Sequence, residues 1–240
     1  MPRNAHFRFK QFIVRQDQCA MKVCTDACVL GAWADVEDAD RILDIGAGTG
    51  LLSLMVAQRN SYAMIDAVEI DAEAFYQAGE NVEQSPFHDR ITLFHSAVQE
   101  FVSDHLYDVI ITNPPFFQSD LLSPIDKKNI AHHAKSLDFE ELLVAIQRLL
   151  KPEGKFNILF PVDEGERFAE KAEQAGWKLT RKLTLFHQED KKAFRLLMLF
   201  QRAEFAHNVH VEPDLYIYGT DGVTHDPRFR ELLKAFYLKF

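Results

Sequence analysis

What this chain of 240 residues lacks narrows it quickly. It has no run of about 18 apolar residues, so no segment reads as a membrane-spanning helix and no membrane partner is expected. The opening residues, Met1 to His6, carry no apolar signal core, which predicts a cytoplasmic protein. Cysteine is scarce: Cys19, Cys24 and Cys28 are the only three, separated by four and three residues. Metal sites usually start from C-x-x-C pairs, so these are read as reduced structural thiols and no metal is expected. Repeats, low-complexity tracts and Gly/Ser linkers are missing, so one domain over 1–240 is expected, with residues 1–25 as an N-terminal arm. Nothing in the sequence requires an oligomer. Basic charge is also short, with 27 Lys and Arg against 36 Asp and Glu, a net charge of −9. That excludes a uniformly basic nucleic-acid binder. The shortage is uneven. Residues 1–30 hold five basic and two acidic residues, residues 227–240 hold four and one, and the stretch between carries −15.

What is present suits a core of some size: 47% of residues are hydrophobic and 12% aromatic. Apolar runs near 41–45, 65–70, 91–95, 107–112 and 156–160 read as strands. They alternate with helical patterns near 51–58, 72–84, 137–150 and 163–175, with a short one near 97–104. A helix over 26–34 is expected, capped by Thr25 or Asp26. Residues 178–186 and 194–201 read as an antiparallel pair, followed by an extended piece at 215–218 and a helix from Pro227. The alternation predicts a doubly wound α/β fold: a mostly parallel, seven-stranded Rossmann-like sheet with helices on both faces.

Two motifs carry chemistry. Arg41 to Ile45 leads straight into Gly46-Ala47-Gly48-Thr49-Gly50 and then an apolar helix. Strand, glycine turn and helix form the start of a nucleotide-binding unit, in which glycine lets the backbone approach a ligand closely. Glu69 ends the second strand nineteen residues past Gly50, where a carboxylate accepts both hydroxyls of a ribose. Asp44, just before the glycines, would face an ammonium at the other end of the ligand. The second motif is Asn113-Pro114-Pro115-Phe116, at the exit of the strand 107–112. Neither proline donates a ladder hydrogen bond, and Pro114 holds Asn113 extended. The result is a stiff corner with an amide at its tip. The Asn113 carbonyl oxygen and the Pro114 backbone carbonyl can accept both N–H groups of a planar amine, and Phe116 can stack on its ring.

Asp44 to Gly50 resembles motif I of the S-adenosylmethionine-dependent class I methyltransferases, and Asn113 to Phe116 resembles their catalytic motif IV for amines. Three N-terminal segments, Phe7 to Phe12, Cys19 to Asp26 and Leu30 to Ala34, extend the likeness. With Gln84-Ser85-Pro86 and Ala235 to Leu238, they resemble the bacterial tRNA1(Val) adenine-N6 methyltransferase family nearly end to end. The resemblance implies S-adenosyl-L-methionine as cofactor, the anticodon loop of a tRNA as partner, and adenine 37 as target. It departs at one place. Where many members hold an acid for the cofactor's adenine amine, this chain has Ser96-Ala97, so Ser96 or a backbone carbonyl is expected there. The amine corner itself would serve adenine in DNA, guanine N2 in rRNA or a protein glutamine equally well; the N-terminal match favours tRNA. A non-catalytic RNA-binding module would have no need of Gly46, Gly48, Gly50, Glu69 and Asn113 together. A long connection at 117–136, with Lys127, Lys128, His132, His133 and Lys135, and the basic arm residues Arg3, Arg8 and Lys10 are candidates for RNA contact.

Overall fold

The computed structural model describes residues 5–19, 22–115, 137–206 and 208–240. Five parallel strands form its centre: β3 (Arg41–Ile45), β4 (Met64–Glu69), β5 (Ile91–His95), β6 (Tyr107–Thr112) and β7 (Leu150–Phe160). β9 (Ala193–Arg202) runs antiparallel between β7 and β8 (Trp177–Phe186). Two short strands, β10 (His210–Val211) and β11 (Leu215–Tyr216), add to β8. The order is β10-β8-β9-β7-β6-β3-β4-β5 with β11 also on β8, so the described sheet has nine strands and not the seven expected. The seven form the predicted core of the sheet; the extra two are two-residue pairings too short to leave an alternating pattern in the sequence.

Six helices cover the sheet within the described residues: α1 (Thr25–Trp33), α2 (Leu51–Arg59), α3 (Ala72–Glu83), α4 (Phe139–Leu149), α5 (Val162–Gln174) and α6 (Pro227–Leu233). Strand alternation divides the core in two. Ile42, Ile65, Val109 and Ile111 face α1, α2 and α6; Leu43, Ile45, Val68 and Ile110 face α4 and α5. Three differences from the sequence reading have physical causes. Asp26 does not cap α1, because its carboxylate is used by Arg195 of β9 at 2.6 Å; Cys24 stands at the N-cap without a side-chain bond. Residues 97–104 make one turn and no helix, with the amides of Glu100 and Phe101 both donating to the Ala97 carbonyl. A single turn does not propagate alone, and Arg148 of α4 fixes it by donating to the carbonyls of Val98 and Phe101. β7 begins at Leu150, where the helix was expected to end, because Pro152 and Gly154 favour extended chain and Leu150 pairs with Tyr107. The extended piece expected over 215–218 is present: Leu215 and Tyr216 pair with β8, and the amides of Ile217 and Tyr218 donate to the carbonyls of Phe186 and His187 at 3.0 Å.

The chain's two ends are joined. The hairpin β1 (His6–Arg8) and β2 (Ile13–Arg15) sends Phe9, Phe12 and Val14 into the α1–α2 core. Phe9 bridges Tyr237, and the Lys10 amide donates to the Phe236 carbonyl at 2.8 Å. The Lys10 ammonium donates to the carbonyls of Lys234 and Phe240. Phe7, Phe9, Tyr237 and Phe240 pack as tilted ring pairs with centroids 4.7 to 6.0 Å apart. Lys10 therefore fastens the ends together. Phe236 is 1% exposed at this junction. Phe236→Ala should cost about 3–5 kcal/mol of stability, read as a lower urea midpoint at unchanged slope. An unchanged midpoint would mean that the terminal segment is only loosely attached.

Candidate functional site

The strand order reverses between β3 and β6, and ligands of open parallel sheets bind at the carboxyl ends of strands beside such a switch. The sequence-predicted residues meet at that edge. Ile45 pairs with Val68 on one side and Thr112 on the other, and Glu69 pairs with His95. The glycine turn, Glu69, Ser96 and Asn113 are thus four neighbouring strand exits.

Hydrogen bonds between the exits fix their spacing. The Thr112 hydroxyl donates to the Ile45 carbonyl at 2.8 Å, tying the Asn-Pro-Pro corner to the glycine strand. The amides of Gly46 and Ala47 donate to the Val68 carbonyl, and the Ser96 amide donates to the Glu69 carbonyl at 3.0 Å. Gly46 and Gly48 lie at φ +74° and +56°, and a Cβ built on either would enter open space with nothing within 4 Å. These glycines answer to backbone conformation and to a ligand's approach, not to crowding by protein. Gly50, at φ +78°, forms the N-cap of α2, and a Cβ built on it would meet Ala78 Cβ of α3 at 3.5 Å.

Glu69, 8% exposed, uses both oxygens: Gly48 N–H donates to Oε2 at 2.7 Å and Asp71 N–H to Oε1 at 2.9 Å. An ionised carboxylate has about four acceptor positions, so two remain for a pair of hydroxyls. Asp44 is fully buried. Ser53 donates to its Oδ2 from the hydroxyl at 2.6 Å and the amide at 3.1 Å, while Oδ1 is buried and accepts nothing among the described residues. Burial pushes the Asp44 carboxyl up to about 7, with the Ser53 bonds opposing and the Glu69 charge adding to the rise. Asn113 is half-buried at the corner, and its Oδ1 also accepts nothing among the described residues. These two acceptors belong to the motifs read from sequence; a third, Gln58 Oε1 at the far end of α2, does not.

At the fourth exit, the Ala97 carbonyl already accepts from Ser96 Oγ, Glu100 N–H and Phe101 N–H, each at 3.0 Å. Ser96 Oγ gives its proton to Ala97 and keeps its lone pairs available. Pro114 is buried and Pro115 exposed; Phe116 and the connection 117–136, with its lysines and histidines, lie outside the described residues, as does Arg3. The three cysteines are free thiols, and among the described residues no three metal-binding side chains come together.

Sequence reasoning missed the residues that hold this site from behind. Ser53 orients Asp44 from the first turn of α2. Asn81, 1% exposed on α3, donates to the Thr49 carbonyl and the Arg15 carbonyl at 2.9 Å and accepts from the Arg15 amide at 2.8 Å. Gln77, one turn earlier, accepts from the amides of Gln18 and Cys19 and donates to Asp17. These two amides seat the N-terminal arm on the back of the glycine turn. Their four-residue spacing places both on one helix face, which was the available signal.

A parallel sheet with its glycine turn at the switch point and an amide-tipped proline corner beside it defines a Rossmann-like methyltransferase whose donor is S-adenosyl-L-methionine. The family model for the methyltransferase small domain matches residues 27–162. A curated tRNA1(Val) (adenine(37)-N6)-methyltransferase of Dyadobacter fermentans is 94% identical over all 240 residues, covering both chains completely. Proteins of the same description from Trichodesmium erythraeum and Phocaeicola vulgatus are 41% and 44% identical, each covering 98% of both chains. The chain belongs to the tRNA1(Val) (adenine(37)-N6)-methyltransferase family. Solved structures agree on fold: a predicted O-methyltransferase of Agrobacterium tumefaciens superimposes with a TM-score of 0.68 at 18% identity, covering 88% of this chain and 96% of that one. P. horikoshii TYW2 in complex with MeSAdo gives 0.55 at 15%, covering 80% and 68%. The donor fits the site on the site's own terms. Open space lies over Gly46 and Gly48, and the buried, unpartnered Asp44 Oδ1 suits a cation.

Glu69→Ala removes the support of the turn together with two acceptor positions. S-adenosylhomocysteine affinity should fall by roughly 100-fold or more, as expected for two hydrogen bonds to a charged group at about 1.5–3 kcal/mol each. Calorimetric titration checks this, and unchanged affinity would leave Glu69 only structural.

Proposed function

We propose that this protein methylates the exocyclic N6 amine of adenine 37 in tRNA1(Val), beside the anticodon, and does so in the cytoplasm. The reading rests on the full-length 94% identity to a protein of that description. It takes residues 1–240 as one methyltransferase domain with 1–25 as its arm, in keeping with the burial of Phe9, Phe12 and Val14 in the α1–α2 core.

The residues divide the work. Gly46, Gly48 and Gly50 shape the cradle for S-adenosyl-L-methionine, Glu69 receives its ribose hydroxyls, Asp44 its ammonium, and Ser96 with the backbone at Ala97 its adenine edge. When bound, the donor supplies an electrophilic methyl group on a sulfonium. Adenine N6 is a poor nucleophile because its lone pair is delocalised into the ring. Asn113 Oδ1 accepts a hydrogen bond from one of its N–H groups and the Pro114 carbonyl from the other, which directs both N–H bonds and turns the lone pair toward the methyl; as the N–C bond forms, one N–H proton is released to solvent. Pro114 and Pro115 keep this corner from relaxing, and Phe116 stacks on the base. Catalysis is by positioning and fixed dipoles, without a strong base. An anticodon-loop base is unpaired, so drawing it into the corner costs little.

Asn113→Ala should lower methylation of unmodified tRNA by about 100-fold or more, the scale of a lost preorganised dipole. S-adenosylhomocysteine affinity should stay near that of the parent. Near-parental turnover would remove Asn113 from the mechanism.

Asp44 generates a pH dependence. Its native pKa of about 7 stands above the ordinary 3.8. The folded protein therefore holds a proton that the unfolded chain releases, and Asp44 weakens folding as pH rises from about 4 to about 7. A cation needs the ionised form, so S-adenosylhomocysteine affinity should rise with pH, up to tenfold per unit, and level off above about 7. Asp44→Asn should bind weakly and without this slope; a parental pH profile in the variant would assign the slope elsewhere.

A further inference from the structure

The acidic balance of the chain leaves open how it holds a polyanion, and the junction of its ends answers. The hairpin and the terminal segment each carry excess basic charge, and the fold places them side by side through Phe9, Tyr237 and Lys10. The acids of both segments are engaged: Asp26 is buried against Arg195, Asp17 accepts from Gln77, and Glu231 pairs with Lys234. Arg8, Arg15 and Lys22 of the arm and Arg230 and Lys239 of the terminal segment are exposed. Arg230 and Lys239 both act on His225, whose pKa is lowered first by burial and then by these two cations, so they share one locality. Arg15 is fixed beside the back of the glycine turn, because Asn81 bonds its backbone and the Thr49 carbonyl of that turn together.

We propose that the two chain ends form one composite phosphate-docking surface, in which Arg8, Arg15 and Lys22 together with Arg230 and Lys239 hold the sugar-phosphate backbone of the RNA whose base enters the Asn113 corner. The proposal rests on the tRNA reading and deepens it. The surface begins at the glycine turn and continues to the terminal segment, so an RNA held at its rim meets phosphate-binding cations outward from there. Residues 31–226 together carry −15 and would repel a backbone laid elsewhere, since unscreened like charges act over about 8 Å at physiological salt. Neither end suffices alone; the aromatic clasp makes them continuous.

Three variants of the full-length protein test this: Arg8→Ala/Arg15→Ala/Lys22→Ala, Arg230→Ala/Lys239→Ala, and the five together. Affinity for unmodified tRNA is measured from about 50 to 200 mM salt, where each phosphate contact contributes roughly 0.7–0.9 to the logarithmic slope. Each set should weaken binding and flatten the slope, the five together most. Lys191→Ala/Lys192→Ala, in the turn between β8 and β9, should keep the parental slope. S-adenosylhomocysteine affinity and melting temperature should be unchanged throughout, which separates lost RNA contact from lost folding. If the terminal set leaves slope and affinity as they were, or the Lys191/Lys192 variant flattens the slope instead, the composite surface is overturned. Failure of the parent to form N6-methyladenosine would strike the tRNA reading itself, a separate result from the salt slopes.

Discussion

Glu69 is the point on which the site depends. One carboxylate receives the amide of Gly48 in the turn after β3 and the amide of Asp71 at the start of α3. It thereby fixes the glycine turn against its neighbouring strand exit, and Asp71 in turn caps α3 by accepting from the Ala74 amide. α3 carries Asn81 and Gln77, which hold both the far side of the turn and the arm. The cradle is therefore gripped from two sides by side chains of adjacent elements. A turn with three left-handed glycines would otherwise be the loosest part of the molecule, since glycine loses most conformational freedom on ordering. The acid that serves as a ligand in the proposed mechanism also builds the surface on which the ligand rests.

The central strands, the glycine turn and the Asn-Pro-Pro corner were legible in sequence because each is a local pattern: a short apolar run, an obligatory left-handed turn, a strand exit stiffened by proline. The spacing from Gly50 to Glu69 was legible because one helix and one strand fill it in any such unit. What escaped was non-local. Nothing near Asp26 in the sequence announces Arg195, 169 positions away, so a helix cap was expected where an ion pair forms. Lys10 gave no sign in sequence of fastening the ends, because its partners are main-chain carbonyls at the opposite end of the chain. Asn81 and Gln77 look like ordinary polar positions on a surface helix until the arm is laid over them. Residues 97–104 failed as a helix for a related reason: the apolar residues there, Val98 and Phe101, are buried as a single turn held by Arg148, not as a continuing face.

Asp44 and Asn113 present two forms of the same physical bargain. Each buries an oxygen that has no partner among the described residues, which ordinarily costs about 1–3 kcal/mol. A fold selected for stability alone would satisfy or delete both. Their chemistry differs in a way that matches their positions. A carboxylate that burial has raised toward neutral pH is penalised most as an anion, so it gains most from a cation that enters the site. A neutral amide oxygen has no charge to recover and gains only a hydrogen bond, which suits a neutral amine that must bind, react and leave. The strongly driven interaction thus falls at the cofactor end, and the weaker one at the end where turnover must follow. The Thr112–Ile45 hydrogen bond holds the two strand exits in register, so that filling the first acceptor leaves the second already in place.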